Sequence, residues 1–151
     1  MADTAAHVGV NLRTDPGVHQ ARLHAGVARG ALEATLVVDP LYVTDGEHDL
    51  DLVGGWRPSD AHRAWAVVGG WRTVTFDLGD GTRVHQHLLA GASVTLPCLV
   101  RGVRAELGLE LAFLAVQHGA ELGTEWFPTD DRVLDVIQPA MYLRLEHAWD
   151  L

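Results

Sequence analysis

The sequence predicts an all-β fold, an antiparallel sandwich or barrel with one short C-terminal helix, and three observations lead there. Glycine turns punctuate the chain at short intervals, at Gly17, Gly26, Arg29-Gly30, Asp45-Gly46, Gly54-Gly55, Gly69-Gly70, Gly79-Asp80-Gly81, Gly91, Gly102, Gly108, Gly119 and Gly123. Such spacing belongs to β-hairpins. Between the turns lie short runs rich in β-favouring residues, and several of these runs alternate apolar and polar residues. No repeat, low-complexity tract or linker divides the chain, so residues 1–151 read as a single domain.

Taken in order, residues 1–16 carry no periodicity and end in the turn-like Thr14-Asp15-Pro16-Gly17, which predicts an N-terminal arm or edge strand that reaches a partner subunit. Strands are predicted over Leu32–Val38, Leu41–Val43, Ala64–Val68, Arg72–Leu78, Arg83–Leu89, Ser93–Leu96 and Leu109–Gln117. In Arg72–Leu78 the apolar Val74, Phe76 and Leu78 share one face, and Thr73, Thr75 and Asp77 share the other. Gly79-Asp80-Gly81 then turns the chain back into a hairpin. Near the C-terminus, Thr129-Asp130-Asp131 supplies capping residues ahead of Val133, Leu134, Val136 and Ile137, with Pro139 as a stop, and this predicts the helix.

Composition narrows the function classes. The 151 residues are 48% hydrophobic and 21% charged, as expected of a chain that folds autonomously. Apolar stretches such as Leu109–Val116 are too short to cross a bilayer and the N-terminus lacks a basic segment followed by an apolar one, so the expected location is cytoplasmic, without a membrane partner. Cys98 is the single cysteine and requires no oxidising compartment. The net charge of −9, with eleven basic residues scattered singly, argues against nucleic-acid binding. All eleven are arginine, and the absence of lysine excludes Schiff-base, pyridoxal-phosphate and lysine-dependent phosphate-loop chemistry.

Three segments carry a family resemblance. Arg29-Gly30-Ala31-Leu32 with Pro40-Leu41-Tyr42-Val43, then Val67-Val68-Gly69-Gly70 with Arg72 to Gly81, then Gly91 to Pro97 with Val100 and Phe113 to Val116, together resemble the cupin-fold enzymes of sugar-nucleotide metabolism. The similar families are the dTDP-4-oxo-6-deoxyhexose 3,4-ketoisomerases and the related dTDP-4-dehydrorhamnose 3,5-epimerases. The resemblance implies a small cupin or jelly-roll barrel of antiparallel strands and a small-molecule substrate, and the N-terminal arm together with the exposed strand edges of a sandwich predicts a homodimer. The ketoisomerases' Arg-Gly-x-His-x-His element corresponds here to Gly54-Gly55-Trp56-Arg57-Pro58-Ser59, which lacks both histidines, so that family's catalytic residues do not carry over.

Other residues offer chemistry of their own. His85 and His87, two apart on a strand, face the same side, where an imidazole serves as acid or base near neutral pH or else lies on a solvated face. With His118 they make only a partial ligand set lacking a carboxylate, so neither a metal nor another cofactor is expected. The Trp56–Trp65 segment is the second candidate, with Arg57 for a phosphate, Trp65 for stacking and His62 for proton transfer. Arg101 and Arg104, beyond the proline turn, either attract a diphosphate or pair with Glu106 and Glu110, and Tyr42 completes the substrate-binding set. Asp49 and Asp51 read as solvated loop charges.

The function expected on this basis is a cofactor-independent isomerase or epimerase of a keto-sugar nucleotide, with His62, His85 and His87 moving protons and Arg57, Trp65, Tyr42, Arg101 and Arg104 binding substrate. The alternatives are a metal-independent cyclase or isomerase that folds a bulky polyketide-like intermediate in an apolar cavity, and a non-catalytic cupin binding protein.

Overall fold

The computed structural model describes residues 4–15, 18–39, 47–58, 65–78, 81–97, 100–119, 123–128 and 137–151. Among them the chain forms nine strands and no helix: β1 (Thr4–Asp15), β2 (Val18–Arg29), β3 (Leu32–Val38), β4 (Glu47–Trp56), β5 (Trp65–Leu78), β6 (Gly81–Leu96), β7 (Val103–Gly119), β8 (Gly123–Trp126) and β9 (Ile137–Asp150). Every strand from β1 to β6 pairs antiparallel with the next, β6 pairs with β7, β7 with β9, and β9 returns to β1. Eight strands therefore close into a barrel, and the short β8 prolongs the sheet beside β7 beyond the reach of β9.

The expected antiparallel barrel is present, but its connectivity is an up-and-down meander without the Greek-key crossings of a jelly roll. Residues expected to form an arm or edge strand supply β1 instead, paired along both sides, from Thr4–Arg29 to Asp15–Val18 with β2 and from Ala5–Asp150 to Thr14–Met141 with β9. Most of the expected helix lies outside the described residues, but Ile137 and Pro139 belong to β9. Pro139 pairs with Leu111 of β7 and sits beyond the last β1–β9 pair, where a missing N–H breaks no bond on the β1 side. The predicted strand Leu41–Val43 also lies outside the described residues.

Several glycines expected at turns run through the middle of long strands, and the reason is space. Gly26 of β2 lies opposite His7, and a Cβ there would stand 2.3 Å from the His7 Nε2. A Cβ on Gly108 would stand 2.1 Å from the Tyr142 ring. Glycine at these positions lets a large inward side chain lie across the neighbouring strand. At the real turns Gly30, Gly102 and Gly123 take φ of 60°, 81° and 68°, which glycine adopts without strain.

Side chains alternate along most of each barrel strand, with the apolar face outward, although Leu114, Ala115 and Val116 of β7 are buried in succession. On β1, His7, Asn11 and Arg13 are buried while Val8, Val10 and Leu12 are exposed. On β3, Glu33 and Thr35 are buried while Leu32 and Leu36 are exposed, and on β7 Glu106 and Glu110 are buried while Leu107, Leu109, Leu111 and Phe113 are exposed. Asp49 and Asp51, expected as solvated loop charges, are 4% and 1% exposed and point into the lumen from β4. A small apolar cluster of Val37, Val53, Val68, Leu89 and Ala112 shares that lumen. No helix among the described residues is long and apolar enough to cross a membrane, a fact without bearing on strands.

Candidate functional site

The lumen is polar, and its ionic groups form two separate networks. The first lies toward the end of the barrel that carries both termini and is centred on Glu33. Arg144 Nη1 donates to Glu33 Oε1 at 2.7 Å, Arg57 Nε to Oε2 at 3.2 Å and Arg104 Nη2 to Oε2 at 3.3 Å. Arg57 also pairs with Glu106 and Arg104 with Glu146. The Thr35 hydroxyl donates to Glu33 at 3.1 Å, so its one proton is committed there, and the His7 Nε2 at 3.2 Å acts as donor to the Thr35 oxygen. His24 Nε2 lies 3.3 Å from Glu146 Oε2. Three glutamates thus face three arginines and their charges balance.

The second network lies toward the other end. Arg72 grips Asp51 with two parallel bonds of 2.8 Å, a planar fork that lysine cannot reproduce. Arg72 Nη2 also donates to Glu110 at 2.6 Å, and Arg22 Nη1 donates to Asp51 at 2.7 Å. Arg13 lies 2.9 Å from Asp15, 3.7 Å from Glu110 and 4.0 Å from Asp49. Burying charges on this scale is tolerable only with such partners, because an unpaired buried ion costs several kcal/mol, on the order of the stability of a domain.

The residues singled out from sequence divide between these regions. His85 and His87 do face the same side, with ring centroids 6.2 Å apart, and that side is the lumen rather than solvent. His87, 1% exposed, sits opposite Arg72 in register, and neither of its ring nitrogens has a hydrogen-bond partner among the described residues. His118 is exposed and bonded to Thr124 on β8, so it does not join them. Arg57 and Arg104 belong to the first network, near the opposite end. Burial disfavours the Arg57 guanidinium charge, but Glu106 and Glu33 overcome this and raise its pKa above the ordinary value. Trp65 points outward at 45% exposure, and Arg101 is exposed in the turn between β6 and β7. Tyr42 and His62 lie outside the described residues. The nominated residues that are described therefore do not converge on one cavity.

Of the carboxylates named from sequence as partners of Arg101 and Arg104, Glu106 does lie 3.2 Å from Arg104, but sequence reasoning missed the other residues that dominate the lumen: Glu33, Glu146, Arg13, Arg22, Arg72, Arg144, His7 and His24. The signal was present as polar residues repeating every second position opposite purely apolar ones, as in His7-Val8-Gly9-Val10-Asn11-Leu12-Arg13 and Arg144-Leu145-Glu146. Two open grooves of about 480 and 460 Å³ lie on the outer face, the first lined by Leu12, Leu107, Met141 and Leu143 and the second by Ala90, Ala92, Leu109 and Leu111.

No protein-family model matches this chain, and no curated protein matches it. Among solved structures, the crystal structure of neisserial surface protein A aligns with 98% of this chain and 96% of its own at 10% identity, with a TM-score of 0.40. That likeness is too distant to carry weight for function or location.

Proposed function

We propose that this chain spans a lipid bilayer as an eight-stranded β-barrel whose lumen is closed by ion pairs, so that it serves as a membrane-embedded scaffold and not as an open pore. The observation that carries the reading is the outward face. From Ala6 to Leu12, Ala21 to Val27, Leu32 to Val38, Leu50 to Trp56, Trp65 to Trp71, Leu88 to Val94, Ala105 to Phe113 and Pro139 to Leu145, every outward position on the barrel strands is apolar. Each half-exposed large apolar side chain forgoes about 1 kcal/mol in water, so a belt of roughly twenty would leave on the order of 20 kcal/mol unrealised. That exceeds the roughly 5–15 kcal/mol by which ordinary domains are stable, and lipid removes the deficit.

The margins of the belt support the same reading. On most strands the outward apolar stretch spans seven residues, which at about 3.3 Å per residue and a tilt of about 40° makes a belt about 15 Å tall, and on β7 the same parity runs from Val103 to Phe113, about 25 Å. Exposed aromatic residues flank it. Trp56, Trp65 and Trp149 lie near the end with the termini, Trp56 and Trp65 packing edge to face at 5.7 Å. Trp126 and Phe127 lie at the other end, 68% and 65% exposed. Tryptophan at both margins is the arrangement expected of a membrane interface.

Isomerisation of a keto-sugar nucleotide, in a cytoplasmic dimer, is the less favoured proposal, because its nominated groups share no cavity among the described residues. A refolding experiment separates the two. Diluted from urea into phosphatidylcholine vesicles, the protein is expected to acquire a β-sheet circular-dichroism spectrum and to stay with the vesicles through alkaline carbonate washes. A monodisperse, fully folded protein in lipid-free, detergent-free buffer that fails to enter vesicles would overturn the membrane reading.

A further inference from the structure

We propose that His7, Glu33 and Glu146 form a divalent transition-metal site that ties together the seam where the first strand of the barrel meets the last. The three residues come from β1, β3 and β9, all three are buried, and one ligand atom of each lies within 4.8 Å of the other two. One imidazole and two carboxylates make a donor set suited to zinc, manganese, cobalt or ferrous iron.

Two features distinguish this cluster from an ordinary knot of ion pairs. The first is that space for the imidazoles is built into the strands: His7 lies over Gly26, and His24, in register with Gly9, comes within 2.8 Å of where a Gly9 Cβ would stand. His24 Nε2, 3.3 Å from Glu146 Oε2, is positioned to orient that carboxylate as an outer partner of the ligand. The second is the group that now neutralises the carboxylates. Arg104 Nη2 lies 3.3 Å from Glu33 Oε2 and also pairs with Glu146 Oε1, so a single nitrogen bridges the two carboxylates, and His7 Nε2 lies 3.8 Å from the other Glu33 oxygen, Oε1. Arg104 is also the exception in exposure, its side chain 29% accessible against 3% for Arg144.

Arg104 is therefore a displaceable stand-in. Turning its side chain toward the barrel mouth gives up its contact with Glu106, frees Glu146 Oε1 and leaves Glu33 Oε2 bonded to Arg57 alone, while Arg144 keeps its bond to Glu33 Oε1. Exchange of a single positive charge for a divalent ion raises the charge of the network by one, with Arg57 and Arg144 still paired to Glu33 and Glu106. His7 meets the ion through Nε2, which requires its proton to move to Nδ1 and its bond to Thr35 to be given up. Water fills the remaining coordination positions.

The test uses the full-length protein folded in detergent, stripped with EDTA and titrated with Zn²⁺ by calorimetry, with Co²⁺ absorption reporting coordination. One equivalent is expected to bind, to give cobalt d–d bands of low-symmetry coordination and to raise the melting temperature reversibly. His7→Gln and Glu146→Gln should each abolish it. Arg104→Gln should tighten binding about tenfold by removing the competing cation, an effect that binding at the exposed His19, His118 or His147 would not show. Binding unchanged in His7→Gln, no stoichiometric binding to the wild-type protein, or no tightening in Arg104→Gln would overturn the proposal. Arg104, at the mouth, remains a usable probe if the His7 variant does not fold.

Discussion

The outer face and the lumen of this barrel are built from alternate residues of the same strands, and they follow opposite rules. Outside, Val8, Val10 and Leu12 on β1 stand exposed, and the equivalent positions of the other barrel strands are also apolar. Inside, one residue away, Asn11 and Arg13 are buried among carboxylates, guanidinium groups and imidazoles. A water-soluble barrel makes the reverse choice because apolar burial is its main source of stability. A barrel in lipid gains nothing from an apolar interior that it does not also gain outside, whereas every polar group must find its partner within the lumen. The use of arginine alone as the basic residue fits this, since the planar fork makes several bonds per buried charge, as Arg72 does with Asp51 and Glu110.

The largest expected effect lies inside. Glu33→Gln leaves Arg57, Arg104 and Arg144 without their shared carboxylate, and removing one partner from a buried ionic set costs about 3–5 kcal/mol. Guanidinium unfolding of the protein in detergent measures the loss, and a change below 1 kcal/mol would mean the lumen is wet enough to solvate those arginines.

The outer face gives the next largest effect and the sharpest contrast. Leu109, 63% exposed and midway along the outward side of β7, is expected on Leu109→Arg to lose about 2–4 kcal/mol of folding stability in vesicles. At an equally exposed position of a soluble protein the same change would stay within about 0.5 kcal/mol. Retained stability of the arginine variant in vesicles would remove the distinction between the two faces.

The third effect concerns how the faces are joined. Gly26→Ala brings a methyl group to 2.3 Å from His7 Nε2 and 2.4 Å from the Ala34 carbonyl oxygen. Overpacking of this kind costs about 1–3 kcal/mol, read by the same unfolding measurement, and pairing it with His7→Ala should recover part of the loss. An unaltered Gly26→Ala protein would show that the imidazole moves aside freely.

Much of the architecture was legible before any coordinates. The β3 limits Leu32–Val38, the β5–β6 hairpin and the shared side of His85 and His87 all follow from two-residue periodicity. Gly26, Gly70, Gly91 and Gly108 misled, because a glycine that makes room for a neighbouring ring or carbonyl is indistinguishable in sequence from one that turns the chain. The ion networks were not legible for a related reason. Glu33 meets Arg144 across 111 positions and Arg72 meets Glu110 across 38, so no local spacing announces either pair.

By itself the sequence determined that the chain forms alternating strands with two chemically distinct faces, because side chains on a strand project to opposite sides with period two whatever surrounds it. Only the tertiary structure decided which face is enclosed. Alternation says nothing about the direction of curvature, and it is the pairing of β1 with β9 and of β6 with β7 that rolls the sheet with its charged face inward and leaves most of its leucines outside.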